Sequence, residues 1–195
     1  MRIYEHRVNI SDALKSVSTT HGVEIDIRTH GGNLILAHDP FVEGELLIDW
    51  LQAWKGQPLI LNVKEDALEP AIMRLLASYS VEEYFFLDQN YPSIRRMIQN
   101  GMTKVATRVS DYEDLETALS SGSDWVWLDS FSGNWSYLLD AVPKILKNKQ
   151  KTCLVSPELQ RVDSQSELEK LQQILIQSNL NISAVCTKIP EKWRL

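Results

Sequence analysis

The sequence has few cysteines, no long apolar run and no surplus of positive charge, and each shortage removes a class of protein. Cys153 and Cys186 are the two cysteines in 195 residues. They lie in separate apolar runs without the spacing of metal ligands, which predicts buried free thiols. No apolar stretch approaches the eighteen or so residues of a membrane span, and residues 1–20 lack the uninterrupted apolar segment of a secretory signal. A cytoplasmic protein without a transmembrane segment is expected. Lys and Arg number 20 against 26 Asp and Glu, a net charge of −6, and the basic residues are scattered. A nucleic acid partner is therefore not expected, because counterion release needs a concentrated basic surface. No Pro/Gly/Ser-rich linker divides the chain, so residues 1–195 are expected to form one domain around one core.

What the chain does contain is an alternation. Short runs rich in Val, Ile, Leu and aromatics recur as RIYEH (2–6), GVEIDIR (22–28), LILAH (34–38), LILNVK (59–64), EYFFLD (83–88), KVATRV (104–109), DWVWLD (124–129), TCLVS (152–156) and ISAVCT (182–187). Between most of them lie stretches with apolar residues at three-and-four spacing: 45–54, 71–79, 93–100, 112–120 and 168–177. SDYE at 110–113 and SQSE at 164–167 have the form of helix-starting capping boxes, and Gly101 is placed to end a helix. Strand then helix, repeated, implies parallel strands with right-handed crossovers, and eight such strands suit a compact α/β (β/α)8 barrel, the TIM barrel. LILAH follows GVEIDIR too closely for a helical crossover and is expected to be a hairpin-like extension that returns His38 to the barrel mouth. After the eighth strand only residues 189–195 remain. The last covering helix is expected to be missing, with the Trp193 tail or a second subunit in a homodimer over the gap.

In GVEIDIR, residues two apart share a face, so Glu24 and Asp26 project together while Val23, Ile25 and Ile27 point the other way. Two carboxylates held close need a cation, a basic side chain or a proton, and a hard divalent ion suits an oxygen-rich pair. A solvated strand end or an ion pair to Arg28 would serve as well. His6 and His38 each end an apolar run, at the barrel face where active sites lie, and two imidazoles can divide general base and general acid work. Arg7 offers a planar donor fork and Lys64 a point charge, both suited to a phosphate. His21 and His30 are read as structural. Trp127 and Trp135 could line a ligand pocket, but with six Trp in the chain they are read as core.

In order along the chain, EHR at 5–7, GVEIDIR at 22–28, HDP at 38–40 and LNVK at 61–64 resemble the glycerophosphodiester phosphodiesterase family, within the wider group of phospholipase-C-like phosphodiesterase barrels. SPEL at 156–159 resembles the family's seventh strand end. The resemblance implies a phosphoric diester hydrolase: His6 and His38 as the catalytic pair, Arg7 and Lys64 on the phosphate of a small phosphodiester, and Glu24, Asp26 and Asn62 holding one divalent cation, Mg2+ or Ca2+. The departures matter. Asn62 stands where the family carries a third metal carboxylate, which should weaken the cation, and Glu65 would face away from Asn62 in a regular strand. Val8 stands where the family has Gly, and of its next conserved stretch only Asn9 could be a remnant. A catalytically impaired barrel that binds a phosphate ligand, or a metal-independent lyase, would account for the same motifs.

Overall fold

The computed structural model describes residues 1–160 and 164–193. Its strands are β1 (Arg2–Glu5), β2 (Gly22–His30), β3 (Asn33–Leu36), β4 (Glu45–Leu46), β5 (Leu59–Val63), β6 (Tyr84–Leu87), β7 (Ala106–Val109), β8 (Trp125–Leu128), β9 (Lys151–Val155) and β10 (Ala184–Thr187). The helices are α1 (Leu47–Ala53), α2 (Glu69–Ser78), α3 (Tyr91–Gln99), α4 (Leu115–Ser120), α5 (Leu138–Lys147) and α6 (Ser164–Gln177). All the strands join one curled sheet, whose parallel part runs β6-β5-β2-β1-β10-β9-β8-β7. Between β6 and β7 the ladder thins to one parallel bridge, Phe86 to Val105, so the fully paired eight-stranded barrel expected from the alternation is met only in part.

The two faces of the sheet carry different cores. Val23, Ile25 and Ile27 pack outward against Trp50 and Leu51 of α1 and Ile72 and Leu76 of α2. Tyr4, Ile60, Phe85, Trp127, Cys153 and Cys186 pack against each other on the inner face. That alternation puts Glu24 and Asp26 on the inner side, opposite Ile60 and Asn62 in the β2–β5 register.

The hairpin is present. Gly31 and Gly32 have φ of 57° and 81°, the left-handed pair that a two-residue turn between twisted strands requires, and β3 returns antiparallel to β2. Gly101, at φ 80°, ends α3 as expected: its N–H bonds Ile98 O at 2.9 Å while Met102 N–H reaches back to Met97 O at 2.9 Å. The SDYE box does not start a helix. Ser110 and Glu113 bond each other in the turn before α4, and the cap is Asp114, which accepts from Thr117 N at 2.8 Å. The Ser164 side chain of the second box lies outside the described residues. Helix α5 lies outside the stretches expected to be helical; its Pro143 sits on the solvent face, where the orphaned carbonyl can be hydrated, while Leu138, Ala141, Val142 and Ile145 are buried.

Beyond β10 the described chain makes one 3-10 turn, Pro190–Trp193, which packs on β1. Trp193 is 2% exposed, packs with Leu171 and Val185, and its indole N–H donates to Ser156 Oγ at 2.8 Å. The tail therefore covers the gap expected after the last strand. Trp193→Ala should cost about 3–5 kcal/mol of stability, read as a lower urea midpoint; an unchanged midpoint would show that this cover is dispensable.

Candidate active site

His6, Arg7, His38 and Lys64 follow the carboxyl ends of β1, β3 and β5, Asn62 lies one residue before the end of β5, and Glu24 and Asp26 lie within β2. Tyr4 is inward, so His6, two residues on, emerges on the same side above β1, with its N–H bonded to Thr187 O at 2.9 Å. Arg7 follows with φ 56°, a left-handed conformation that costs a non-glycine residue about 1–3 kcal/mol. The turn directs the Arg7 backbone N–H onto Glu24 Oε2 at 2.7 Å. Because the left-handed residue is Arg7 and not Val8, a valine fits at 8: it is buried, and its carbonyl accepts from Trp50 Nε1 at 2.9 Å.

Glu24 and Asp26 are fully buried, which rules out a solvated strand end. Nor do they pair with Arg28, which instead faces Glu65 at 3.6 Å and donates to the His38 carbonyl at 3.1 Å. Glu65 bonds Thr29 and faces away from Asn62, as the strand alternation predicts. Glu24 Oε1 accepts from Asn62 Nδ2 at 2.8 Å, and His6 Nε2 lies 3.8 Å from Oε2. Asp26 and Asn9 exchange two bonds: Asn9 Nδ2 donates to Oδ2 and the Asp26 N–H donates to Asn9 Oδ1, both at 2.9 Å. Arg7 Nε is 3.7 Å from Asp26 Oδ2 and Lys64 Nζ 3.3 Å from Oδ1. Six predicted residues, His6, Arg7, Glu24, Asp26, Asn62 and Lys64, thus form one contact network.

Burial, then the charge of Asp26, pushes the Glu24 carboxyl up to about 8. Burial acts oppositely on His6, and with the charges of Arg7, Lys188, Lys64 and His38 holds its imidazole down to about 3. His6 is therefore neutral at physiological pH and can accept a proton. His38 stands further out, its side chain 40% exposed, with Nδ1 2.7 Å from Asp39 Oδ1. That contact orients the ring and leaves Nε2 for the substrate.

Asp26 Oδ1 and Asn62 Oδ1 are buried and accept no hydrogen bond. Together with Glu24 they form an oxygen-only donor set of two carboxylates and one amide, which fits a hard divalent ion held less tightly than by three carboxylates. Among the described residues no group of three or more His, Cys, Asp and Glu side chains could hold a metal, because the third position here is an amide.

Sequence reasoning missed four residues at this mouth. Asn9 was noted as a remnant but proves to clamp Asp26. Asp88 accepts from Lys64 Nζ at 3.1 Å and from Arg108, which also faces Glu113 at 3.9 Å. Lys188, just past β10, contributes to the field at His6. Asp88, Arg108 and Lys188 lie at the carboxyl ends of strand runs, as His6 does, and that position was the available signal. A cleft of about 750 Å³ opens beside Lys64, lined among others by Asp88, Tyr91, Arg108, Tyr112 and Glu113. Trp127 and Trp135 are buried in the core, as expected, and do not line it. His21 bonds Glu5 at 2.8 Å and His30 is exposed at the hairpin.

No family model matches the sequence, and no curated protein matches it. Solved structures do. A glycerophosphodiester phosphodiesterase from Parabacteroides distasonis superposes with a TM-score of 0.71 at 15% identity, over 98% of this chain and 94% of that one. One from Agrobacterium tumefaciens gives 0.69 at 10% identity, over 99% of each chain. A phosphoribosyl anthranilate isomerase from Thermus thermophilus gives 0.55 at 12% identity, over 96% of this chain and 86% of that one. The chain thus has the fold of these phosphodiesterases, and a fold so widely used leaves the chemistry to be argued from the site.

Proposed function

We propose that this protein is a phosphoric diester hydrolase of the glycerophosphodiester phosphodiesterase type, cytoplasmic and built as a single (β/α)8 domain, acting on a glycerophosphodiester or a related small phosphodiester. The observation that carries this reading is the meeting of His6, Arg7 and Lys64, just past the carboxyl ends of β1 and β5, with a buried Glu24–Asp26 pair on β2. Arg7 and Lys64 bind the phosphate. His6, held neutral, takes the proton of the attacking group, either water or a neighbouring hydroxyl of the substrate, and His38, oriented by Asp39, gives a proton to the leaving oxygen. Mg2+ or Ca2+ held by Glu24, Asp26 and Asn62 would supply positive charge opposite the phosphoryl oxygens. In support, three solved structures of this fold are glycerophosphodiester phosphodiesterases. No helix among the described residues is long and apolar enough to cross a membrane.

One observation favours a second reading. Asn62 turns its Nδ2 to Glu24 and supplies no third charge, as a barrel that binds phosphodiesters without turnover would allow. The purified protein should be incubated with a panel of glycerophosphodiesters, one of them sugar-linked, in Mg2+, Ca2+ or excess chelator, with His6→Ala as the blank. Cation-dependent release of an alcohol above that blank is expected. Binding without release would establish the second reading, and a cyclic phosphate formed in chelator would establish a metal-independent lyase.

A further inference from the structure

We propose that Asp88 is a positioning residue that takes the hydrogen bond of the Lys64 ammonium, which stands between it and Asp26, and so leaves Asp26 Oδ1 available to the divalent cation. The inference rests on the metal reading of Glu24, Asp26 and Asn62 and goes beyond it by assigning a role to a residue outside that set.

Asp88 should not face the mouth at all. Phe85 and Leu87 are the inward residues of β6, so strand alternation would turn residue 88 outward. It adopts φ 60° instead, and this left-handed turn brings its carboxylate inward against Lys64. Asp is one of the few non-glycine residues that visit this region readily, and Arg108 holds the same carboxylate from β7, across the gap where the ladder thins to one bridge.

Lys64 stands between two acids, 3.3 Å from Asp26 Oδ1 and 3.1 Å from Asp88 Oδ2. Its hydrogen bond goes to Asp88, and Asp26 Oδ1 is left buried without one. An ammonium bonded squarely to Asp26 would occupy a lone pair that the cation needs and would repel it at close range. With Asp88 present, the Lys64 hydrogen bond is directed to a carboxylate that lines the cleft beside it. The chain Lys64–Asp88–Arg108–Glu113 alternates in sign, so each of these four charges faces an opposite one.

Titrating Ca2+ and Mg2+ into the purified protein by calorimetry, without substrate, tests the proposal. Asp88→Asn keeps the shape and tolerates the left-handed backbone, but frees Lys64 to bond Asp26; cation affinity should fall about tenfold, and Asp88→Glu should recover most of it. Lys64→Met removes the competitor: it should bind at least as tightly as the wild type, and adding Asp88→Asn to it should change nothing further. Arg108→Gln, which unpins Asp88 without touching the left-handed residue, should weaken binding about threefold with the same dependence on Lys64. An equal loss with and without Lys64, or no loss in Asp88→Asn, would overturn the inference while leaving the cation site standing. Absence of cation binding by the wild type would overturn the metal reading and this inference with it.

Discussion

Replacing His6 by Ala is expected to lower turnover of a glycerophosphodiester by about 100-fold or more, the contribution of a positioned proton acceptor. The imidazole is held down to about 3, so its neutral form persists into mildly acid solution. The pH profile of kcat/KM should therefore show no acid limb near the ordinary histidine value of about 6.5 attributable to His6. Stability carries the same signature. Between about 3 and 6.5 the unfolded chain binds a proton at His6 that the folded chain refuses, so stability is fully present above 6.5 and is lost as pH falls toward 3. Glu24 acts in the opposite sense. Its folded value, about 8, lies above the ordinary 4.5, so its contribution is present below 4.5 and is lost as pH rises through 8. The two oppose each other between 4.5 and 6.5. Comparing urea midpoints of the wild type and His6→Ala at pH 7 and pH 5 isolates the histidine part: the variant should lose less on acidification. Near-wild-type turnover in a folded variant would remove His6 from the mechanism, and an acid limb near 6.5 that vanished with it would contradict the neutral buried imidazole.

Asn62→Asp is expected to destabilise the metal-free protein and to tighten the cation. The amide now donates to Glu24 Oε1 at 2.8 Å inside a fully buried site; a carboxylate there faces two others with one donor fewer. The loss should be about 3 kcal/mol, as for other uncompensated buried charges, or about 6–12 °C in melting temperature for a chain of this size. Millimolar Mg2+ or Ca2+ should restore it, and the affinity should rise about tenfold or more, because ligand charge count sets affinity for hard ions. In the wild type a proton on Glu24 competes with the cation, so the cation-induced rise in melting temperature should grow as pH goes from 6 to 8. Melting curves in chelator and in each cation, at both pH values, measure all of this. If Asn62→Asp were as stable as the wild type in chelator and gained nothing from either ion, the metal assignment would fail.

The periodicity of the apolar runs was enough to place nine of the ten described strands to within two residues, because burial on both faces of a parallel sheet demands continuous Val, Ile, Leu and aromatic runs; the two-residue β4 falls in the stretch 45–54 expected to be helical. The hairpin was legible because LILAH follows GVEIDIR too closely for a helical crossover, and the Gly101 cap because few other residues accept its backbone angle. Where local signals misled, a nearby competitor with the same chemistry was at work. Ser110 and Asp114 are both good caps four residues apart, and only the packing of Leu115 and Ala118 on the sheet decides between them.

Of the candidate site, His6, Arg7, His38 and Lys64 could be singled out because a polar group at the end of a buried run needs an explanation, Glu24 and Asp26 because they share one face of a strand, and Asn62 because of the family resemblance. Asn9, Asp88, Arg108 and Lys188 were not, since their importance lies in what stands opposite them. The sequence by itself determined the alternating strand and helix elements and the shared face of the two carboxylates, which follow from periods of two and 3.6, while the charge deficit at Asn62 is what the family resemblance implies. Only the tertiary structure decided that the carboxylates are wholly dry, that His6 is kept neutral, that Trp193 covers the last strand and that Lys64 bonds Asp88 rather than Asp26. Those outcomes depend on desolvation and on distances between strands far apart in the chain, and no local pattern of residues encodes either.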